Sequence, residues 1–228
     1  MPASLLRSRI FDGLTDTERE RWLDRATRQT LKRGQTLARQ GEPARSFHLL
    51  ETGFLKVSQL TENGDELIVR FIVPGEPFGG VAALVDAPYP VTAVAVQPST
   101  VCAWARDTFL TLFEATPHVR VNIMREMAMH MTDALTRVRE LTTARVDIRL
   151  AHTLLRLCSQ CGQAEAGGVR ITQPLTRQEL ADLAGTTLYT VSRTLSKWAA
   201  LGLVESTNRR LLVRSPGRLE EAVRDADA

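Results

Sequence analysis

The sequence predicts an α+β chain in three parts. These are a jelly-roll β domain with a leading helix over residues 1–116, one long helix over 117–144, and a C-terminal unit over 145–228 made of a helix-turn-helix and a two-stranded wing. Three observations predict it. Short apolar runs between Gln29 and Ala105 are broken by glycines, helical periodicity continues without Pro or Gly from Pro117 to about Thr143, and two capped helical segments adjoin between Thr176 and Ala200. A chain of 228 residues with 43% apolar and 24% charged residues buries at least one sizeable core and has room for two, which excludes disorder and fibrous repeats.

Thr15 and Glu18 form a capping box, so a short helix runs from there to about Ala26. Runs such as Phe47-His48-Leu49-Leu50, Phe54-Leu55-Lys56-Val57 and Leu67 to Val73 then read as strands, with glycines at 34, 41, 53, 64 and 75 between them. Such punctuation suits a sandwich, barrel or jelly roll. Helical character resumes near Asp107 and again after Pro117. Met124, Met127, Met131, Ala134, Val138 and Leu141 lie at alternating steps of three and four, an apolar heptad seam. One reading packs this helix on its own β domain. The narrow seam, flanked by Arg120, Arg125, Arg137 and Arg139, favours a two-helix dimer interface. Residues 147–158 are helical in pattern and Gly162–Gly168 reads as a loop.

Charge is unevenly spread. Residues 1–144 carry 17 basic and 17 acidic side chains, whereas 145–214 carry 10 basic and 5 acidic, so the net +3 of the chain originates in its C-terminal part. Three cysteines make no disulfide framework, the first residues lack the apolar core of an export signal, and no apolar run approaches the ~20 residues that span a bilayer. The expectation is a soluble cytoplasmic protein without membrane association. No P-loop, GxGxxG, HExxH or GxSxG is present, so no enzymatic activity is expected.

From Leu175 to Leu195 the chain reads as helix, glycine turn, helix. Thr176 and Glu179 form a second capping box, Leu180, Leu183 and Ala184 face inward, Gly185 permits the turn, and Val191 and Leu195 pack the second helix onto the first. This leaves Thr187, Leu188, Tyr189, Ser192, Arg193 and Lys197 outward, where an arginine reaches both acceptors of guanine in the major groove. Gly202 to Arg214 reads as a wing with Arg209 and Arg210 at its tip. Residues 187–214 carry Arg193, Lys197, Arg209, Arg210 and Arg214 against Glu205 alone, a charge suited to phosphates. Double-stranded DNA is the expected partner, contacted by these side chains and by Thr176.

A glycine-punctuated β domain, a long helix and a winged helix, in that order, resemble the Crp/Fnr superfamily over nearly the whole chain. Gly53-Phe54-Leu55-Lys56-Val57, Pro74-Gly75-Glu76-Pro77-Phe78-Gly79-Gly80 and Leu175 to Leu195 carry the resemblance. It implies a cyclic-nucleotide-binding-like β-roll that senses an effector, a homodimer on a near-palindromic DNA site, and contact with RNA polymerase where the protein activates. The family's pocket falls on Phe78, Gly80, Val81, Val91 and Thr92. Where the cyclic-nucleotide branch places Glu and Arg-Ser, this chain has Val81 and Val91-Thr92, which leaves a cyclic phosphate unpaired, so cyclic AMP and GMP are not expected. Residues 1–101 hold no cysteine, so the iron–sulfur cluster of the oxygen-sensing branch is not expected either.

Thr186 to Arg193 looks most like the nitric-oxide-responsive Nnr and Dnr regulators, although Tyr189 stands where both major branches commonly have Glu, so neither family half-site carries over. Those regulators are thought to use haem, which makes the four histidines, 48, 118, 130 and 152, ligand candidates, His48 and His130 first among them. Pro2 is similar to the terminal proline ligand of the superfamily's carbon-monoxide sensor, whose β-roll histidine falls at Val81. A lone histidine is more often an ordinary packed residue. Cys158 and Cys161 have CxxC spacing, suited to a thiol switch or half a metal site, or to two unreactive thiols near a helix end. A constitutive, ligand-independent regulator and a cysteine-based redox regulator remain the alternatives to effector gating.

Overall fold

In the computed structural model, which describes residues 5, 8–64, 66–207 and 209–224, the chain divides into two compact units, Met1–Asp133 and Ala134–Ala228. The break falls inside the long helix. Pro2 and Asn208 lie outside the described residues.

The first unit opens with a 3-10 turn at Arg9–Phe11 and helix α1, Asp16–Asp24. The capping box at its start is formed: Thr15 Oγ1 accepts from the Glu18 N–H at 3.2 Å, and the Glu18 carboxylate accepts from the Thr15 N–H at 2.9 Å. Strands β1 (Thr27–Leu31), β2 (Thr36–Ala38), β3 (Ser46–Thr52), β4 (Leu55–Leu60), β5 (Glu66–Ile72), β6 (Pro77–Phe78), β7 (Thr92–Ala95) and β8 (Ser99–Ala105) build two antiparallel sheets, ordered β1-β8-β3-β6 and β2-β7-β4-β5. A short helix the β-rich reading misses, α2 (Gly80–Leu84), interrupts them. Helices α3 (Arg106–Ala115) and α4 (Pro117–Thr143) follow.

Strand β3 explains how the unit coheres. Its successive side chains alternate between faces, and both faces are covered. Phe47 and Leu49 enter a core with Trp22, Trp104, Phe109 and Ile123, under the helices, while Leu50 enters a second core between the sheets with Leu31, Ile72 and Val101. The Phe47 and Phe109 rings stack at 4.5 Å, and Trp104 donates its indole N–H to the Trp22 carbonyl at 2.7 Å, so the buried polar atom of the large ring is satisfied. Gly53 turns the chain out of β3 at φ +98°, where a Cβ would stand 2.1 Å from Ser99 Oγ, the oxygen that accepts the buried Phe54 N–H. Only glycine meets both conditions.

The second unit begins with the C-terminal turns of α4. Helix α5 (Val146–Cys161), strands β9 (Gly162–Glu165) and β10 (Gly168–Ile171), helices α6 (Arg177–Ala184) and α7 (Leu188–Ala200), strands β11 (Val204–Thr207) and β12 (Arg210–Val213) and helix α8 (Pro216–Arg224) follow. One antiparallel sheet is ordered β11-β12-β10-β9. The expected loop at Gly162–Gly168 is therefore corrected to a strand and turn. Every residue of β9 is exposed, so it lacks the alternating apolar signal by which a half-buried strand is read, and Gly167 at φ +92° makes the turn. Among the described residues no helix is long and apolar enough to cross a membrane.

Candidate nucleic-acid interface

Helices α6 and α7 are set by local chemistry. Thr176 accepts from the Glu179 N–H at 3.1 Å while the Glu179 carboxylate takes the Thr176 N–H at 2.7 Å, which starts α6. Gly185, in the left-handed region at φ +60°, ends it, donating its N–H back to the carbonyls of Ala181 and Asp182. Thr187 then caps α7, its Oγ1 accepting from the Thr190 N–H at 3.2 Å. Buried Val191, Leu195 and Trp198 hold α7 against buried Leu180, Ala181 and Ala184 of α6; the spacing predicts all of these but Ala181 and Trp198, and Leu183, expected to face inward, is half-buried.

This packing turns a second face outward. Thr187, Leu188, Tyr189, Arg193 and Lys197 are exposed, Tyr189 to 72%, and Ser192 is half-buried. Two of the hydroxyls are occupied. Thr176 also donates to the Glu179 carboxylate at 2.8 Å, and Thr187 shares a hydrogen bond with Thr190 Oγ1 at 3.0 Å, so both shape the ends of the helices. In the wing, Arg209 at φ +64° makes the turn between β11 and β12, and its carbonyl accepts the Leu175 N–H at 2.9 Å, tying the wing to the start of the motif. Arg209 and Arg210 are exposed. Arg214 is ion-paired with Glu205, the single acid that the sequence sets against the five cations of residues 187–214.

Arg193 and Lys197 line an open groove of about 470 Å³ with Thr190, Thr194, Arg145 and Asp147. Arg145, Thr190 and Thr194 were not singled out from sequence. Arg145 is the residue preceding α5, and only the fold brings it to the face of α7. Arg193 and Lys197, with Arg145 held beside them in an ion pair to Asp147 (Nε to Oδ1, 3.5 Å), suit the closely spaced charges of a nucleic-acid backbone.

The seam of α4 is open along its length in the single chain: Met124, Met127, Met131, Val138 and Leu141 are 38% to 67% exposed, and Ala134 is also exposed. The face of α4 that packs on the β domain is a different one, carrying buried Val119, Asn122, Ile123 and Glu126.

In the β-roll, Phe78 is buried and stacked on Tyr89 at 5.5 Å, Gly80 and Val91 are half-buried, and Val81 on α2 is 47% exposed. The Thr92 hydroxyl accepts the Gln40 N–H at 3.1 Å. His48 is only 6% exposed, its ring 6.2 Å from that of Phe78 and its Nδ1 without a partner, and burial pushes its pKa down to about 4. His130 is half-buried and reaches a similar value, first through burial and then through the nearby Arg70 charge. Burial pushes the Cys158 thiol up to about 11, and Cys161 donates to the Leu157 carbonyl at 3.3 Å. A thiol so raised is a poor nucleophile at neutral pH, which weighs against a switch at this pair.

A β-roll unit followed by a long helix and a winged helix with an exposed, basic second helix defines a DNA-binding regulator with an effector-binding domain. The chain belongs to the Crp/Fnr family of transcription regulators: residues 28–116 match the cyclic nucleotide-binding domain family and residues 148–222 the Crp-like helix-turn-helix domain family. It is similar to the CRP-like cAMP-activated global transcriptional regulator of Mycobacterium tuberculosis (strain CDC 1551 / Oshkosh), 24% identical over 224 residues covering 98% of this chain and 100% of that protein. It is also similar to the transcriptional activator protein FnrA of Stutzerimonas stutzeri, 28% identical over 183 residues, 80% of this chain and 75% of that one. The solved structure of FixK2 from Bradyrhizobium japonicum matches with a TM-score of 0.75 at 25% identity, covering 86% of this chain and 96% of that one.

Proposed function

We propose that the protein is a homodimeric, sequence-specific transcription regulator whose β-roll responds to an effector other than a cyclic nucleotide. The observation that carries the dimer is the α4 seam, a continuous apolar stripe that the chain's own β domain leaves uncovered and that matches a second copy of itself. Two copies present two α7 helices, and a two-fold protein reads two half-sites about 10–10.5 base pairs apart. Selection of duplexes from a random pool by the full-length chain is expected to enrich a site with approximate dyad symmetry. Enrichment of a single asymmetric element, or of nothing, overturns the proposal. RNA polymerase is a partner in this reading where the bound site allows activation.

A cyclic phosphate finds no guanidinium at Val81, Val91 or Thr92, and the Thr92 hydroxyl is already engaged by Gln40. The resemblance to the Nnr and Dnr branch makes haem and nitric oxide our candidate effector pair. His48 does not fit a porphyrin, because its ring is enclosed and Phe78, stacked on Tyr89, would have to move. His130 fits better: partly exposed and held neutral, it has the form of imidazole that binds iron. Bound haem would supply an iron that takes a diatomic gas. Titration of anaerobic protein with haemin is expected to give a one-to-one Soret band that shifts with nitric oxide and is lost in His130→Ala. A flat titration, or equal uptake by the variant, discards haem and leaves an organic effector or a constitutive regulator.

A further inference from the structure

The end of α4 is fastened to the helix-turn-helix by two side chains that the recognition surface does not use. Glu140, 6% exposed, lies one turn from the end of α4 and accepts Arg156 Nη1 on both carboxylate oxygens at 2.9 Å and His152 Nδ1 at 2.9 Å. Those two partners are four residues apart on α5 and so share one face of it. Arg149, in the first turns of α5, spreads its guanidinium over three carbonyls: Nη1 to Ala144 at 2.9 Å, Nε to Ala184 at 3.0 Å and Nη2 to Gly185 at 2.9 Å. Ala144 directly follows α4, and Ala184 and Gly185 end α6, so one cation caps the negative ends of two helices. Leu141 lies on the same turn, with its Cδ2 2.4 Å from where a Cβ of Gly185 would be.

We propose that Arg149 and Glu140 are positioning residues for DNA recognition: they fix the direction in which α7 leaves the glycine turn by bracing that turn and α5 against the last turn of α4. The inference rests on the DNA-recognition reading. The planar fork of arginine is what allows three fixed acceptors to be served at once, and lysine, a single point charge, keeps the charge without the span. Neither residue lines the groove beside Arg193.

The test compares full-length wild type, Arg149→Lys, Arg149→Ala and Glu140→Gln on the duplex that the wild type selects and on a scrambled duplex of equal length, at one salt concentration. Thermal unfolding of each is followed by far-ultraviolet circular dichroism. Arg149→Lys is expected to remain folded at the assay temperature, to lose about tenfold or more in affinity for the selected duplex and to keep its affinity for the scrambled one. Glu140→Gln moves in the same direction. A folded Arg149→Lys with wild-type affinity for the selected duplex overturns the proposal. So does a parallel loss on both duplexes, which would make Arg149 a phosphate-contacting charge. If Arg149→Ala fails to fold, the other two variants decide. A wild type that selects no sequence fails the DNA-recognition reading itself, and that is seen before any variant is measured.

Discussion

Arg193→Ala is expected to abolish sequence-specific binding while leaving the chain folded and its oligomeric state unchanged. Arg193 is exposed on α7, on the face opposite buried Val191 and Leu195, so its truncation opens no cavity. A bidentate arginine–guanine contact is worth about 1–3 kcal/mol of discrimination, and a two-fold complex loses it at both half-sites, which corresponds to a drop of roughly 30-fold to 10,000-fold or more. Fluorescence anisotropy on the selected duplex and on a scrambled one, at fixed salt, reads this directly. The scrambled duplex should lose little, because non-specific affinity is carried by the summed charge of the surface, where Lys197, Arg209 and Arg210 remain. Retention of wild-type specificity would sink the assignment of α7 as the reading helix.

Met131→Arg is expected to convert the proposed dimer to monomer. Met131 is 67% exposed in the single chain, so the substitution costs the fold almost nothing there. In a two-fold interface the same change places two guanidinium groups across one seam, taken from water and without a partner. Uncompensated buried charge costs about 3–5 kcal/mol, which raises the dimer dissociation constant by about 100-fold or more. Sedimentation equilibrium over a concentration series measures it, with circular dichroism to show that secondary structure is kept. A dimer that survives would mean that the seam faces something other than a second copy. Loss of the dimer should also weaken DNA binding, since each monomer then holds one half-site alone.

How much of this was legible in the sequence follows from the range of the interactions involved. The start of α1 and the limits of α6 and α7 could be placed closely because their signals are local: Thr15 with Glu18, Thr176 with Glu179, and Gly185 all act within a turn of themselves. The heptad seam was legible for the same reason, since its period is intrinsic to the helix. The order of strands in the β-roll was not. The pairing of β1 with β8 joins Thr27 to Ala103, and no pattern in either stretch specifies the other. Strand β3 hid its orientation, because Phe47-His48-Leu49-Leu50 is buried on both faces and shows no alternation.

At the candidate interface, the sequence pattern identified Arg193, Lys197, Arg209 and Arg210, but neither the pairing of Arg214 with Glu205 nor the place of Arg145 beside α7 was legible. Both have one cause. Whether a charge is available depends on its neighbours in space, and Glu205 lies across a strand pair from Arg214 while Arg145 is carried to α7 by the packing of α5. The part played by Glu140 was invisible for the same reason, as its partners lie on the next helix.

The doubly covered strand β3 also channels how descendants of this chain can diverge. A substitution at Phe47, Leu49 or Leu50 disturbs one core or the other, so lineages that alter the middle of the roll pay in stability at once. Val81 and Val85 around α2, and Leu60 and Leu67 on the β4–β5 hairpin, are exposed and free of that constraint. Novelty in what the roll responds to should therefore accumulate at its rim, leaving the strand that holds the two cores together as the slowest-changing part of the unit.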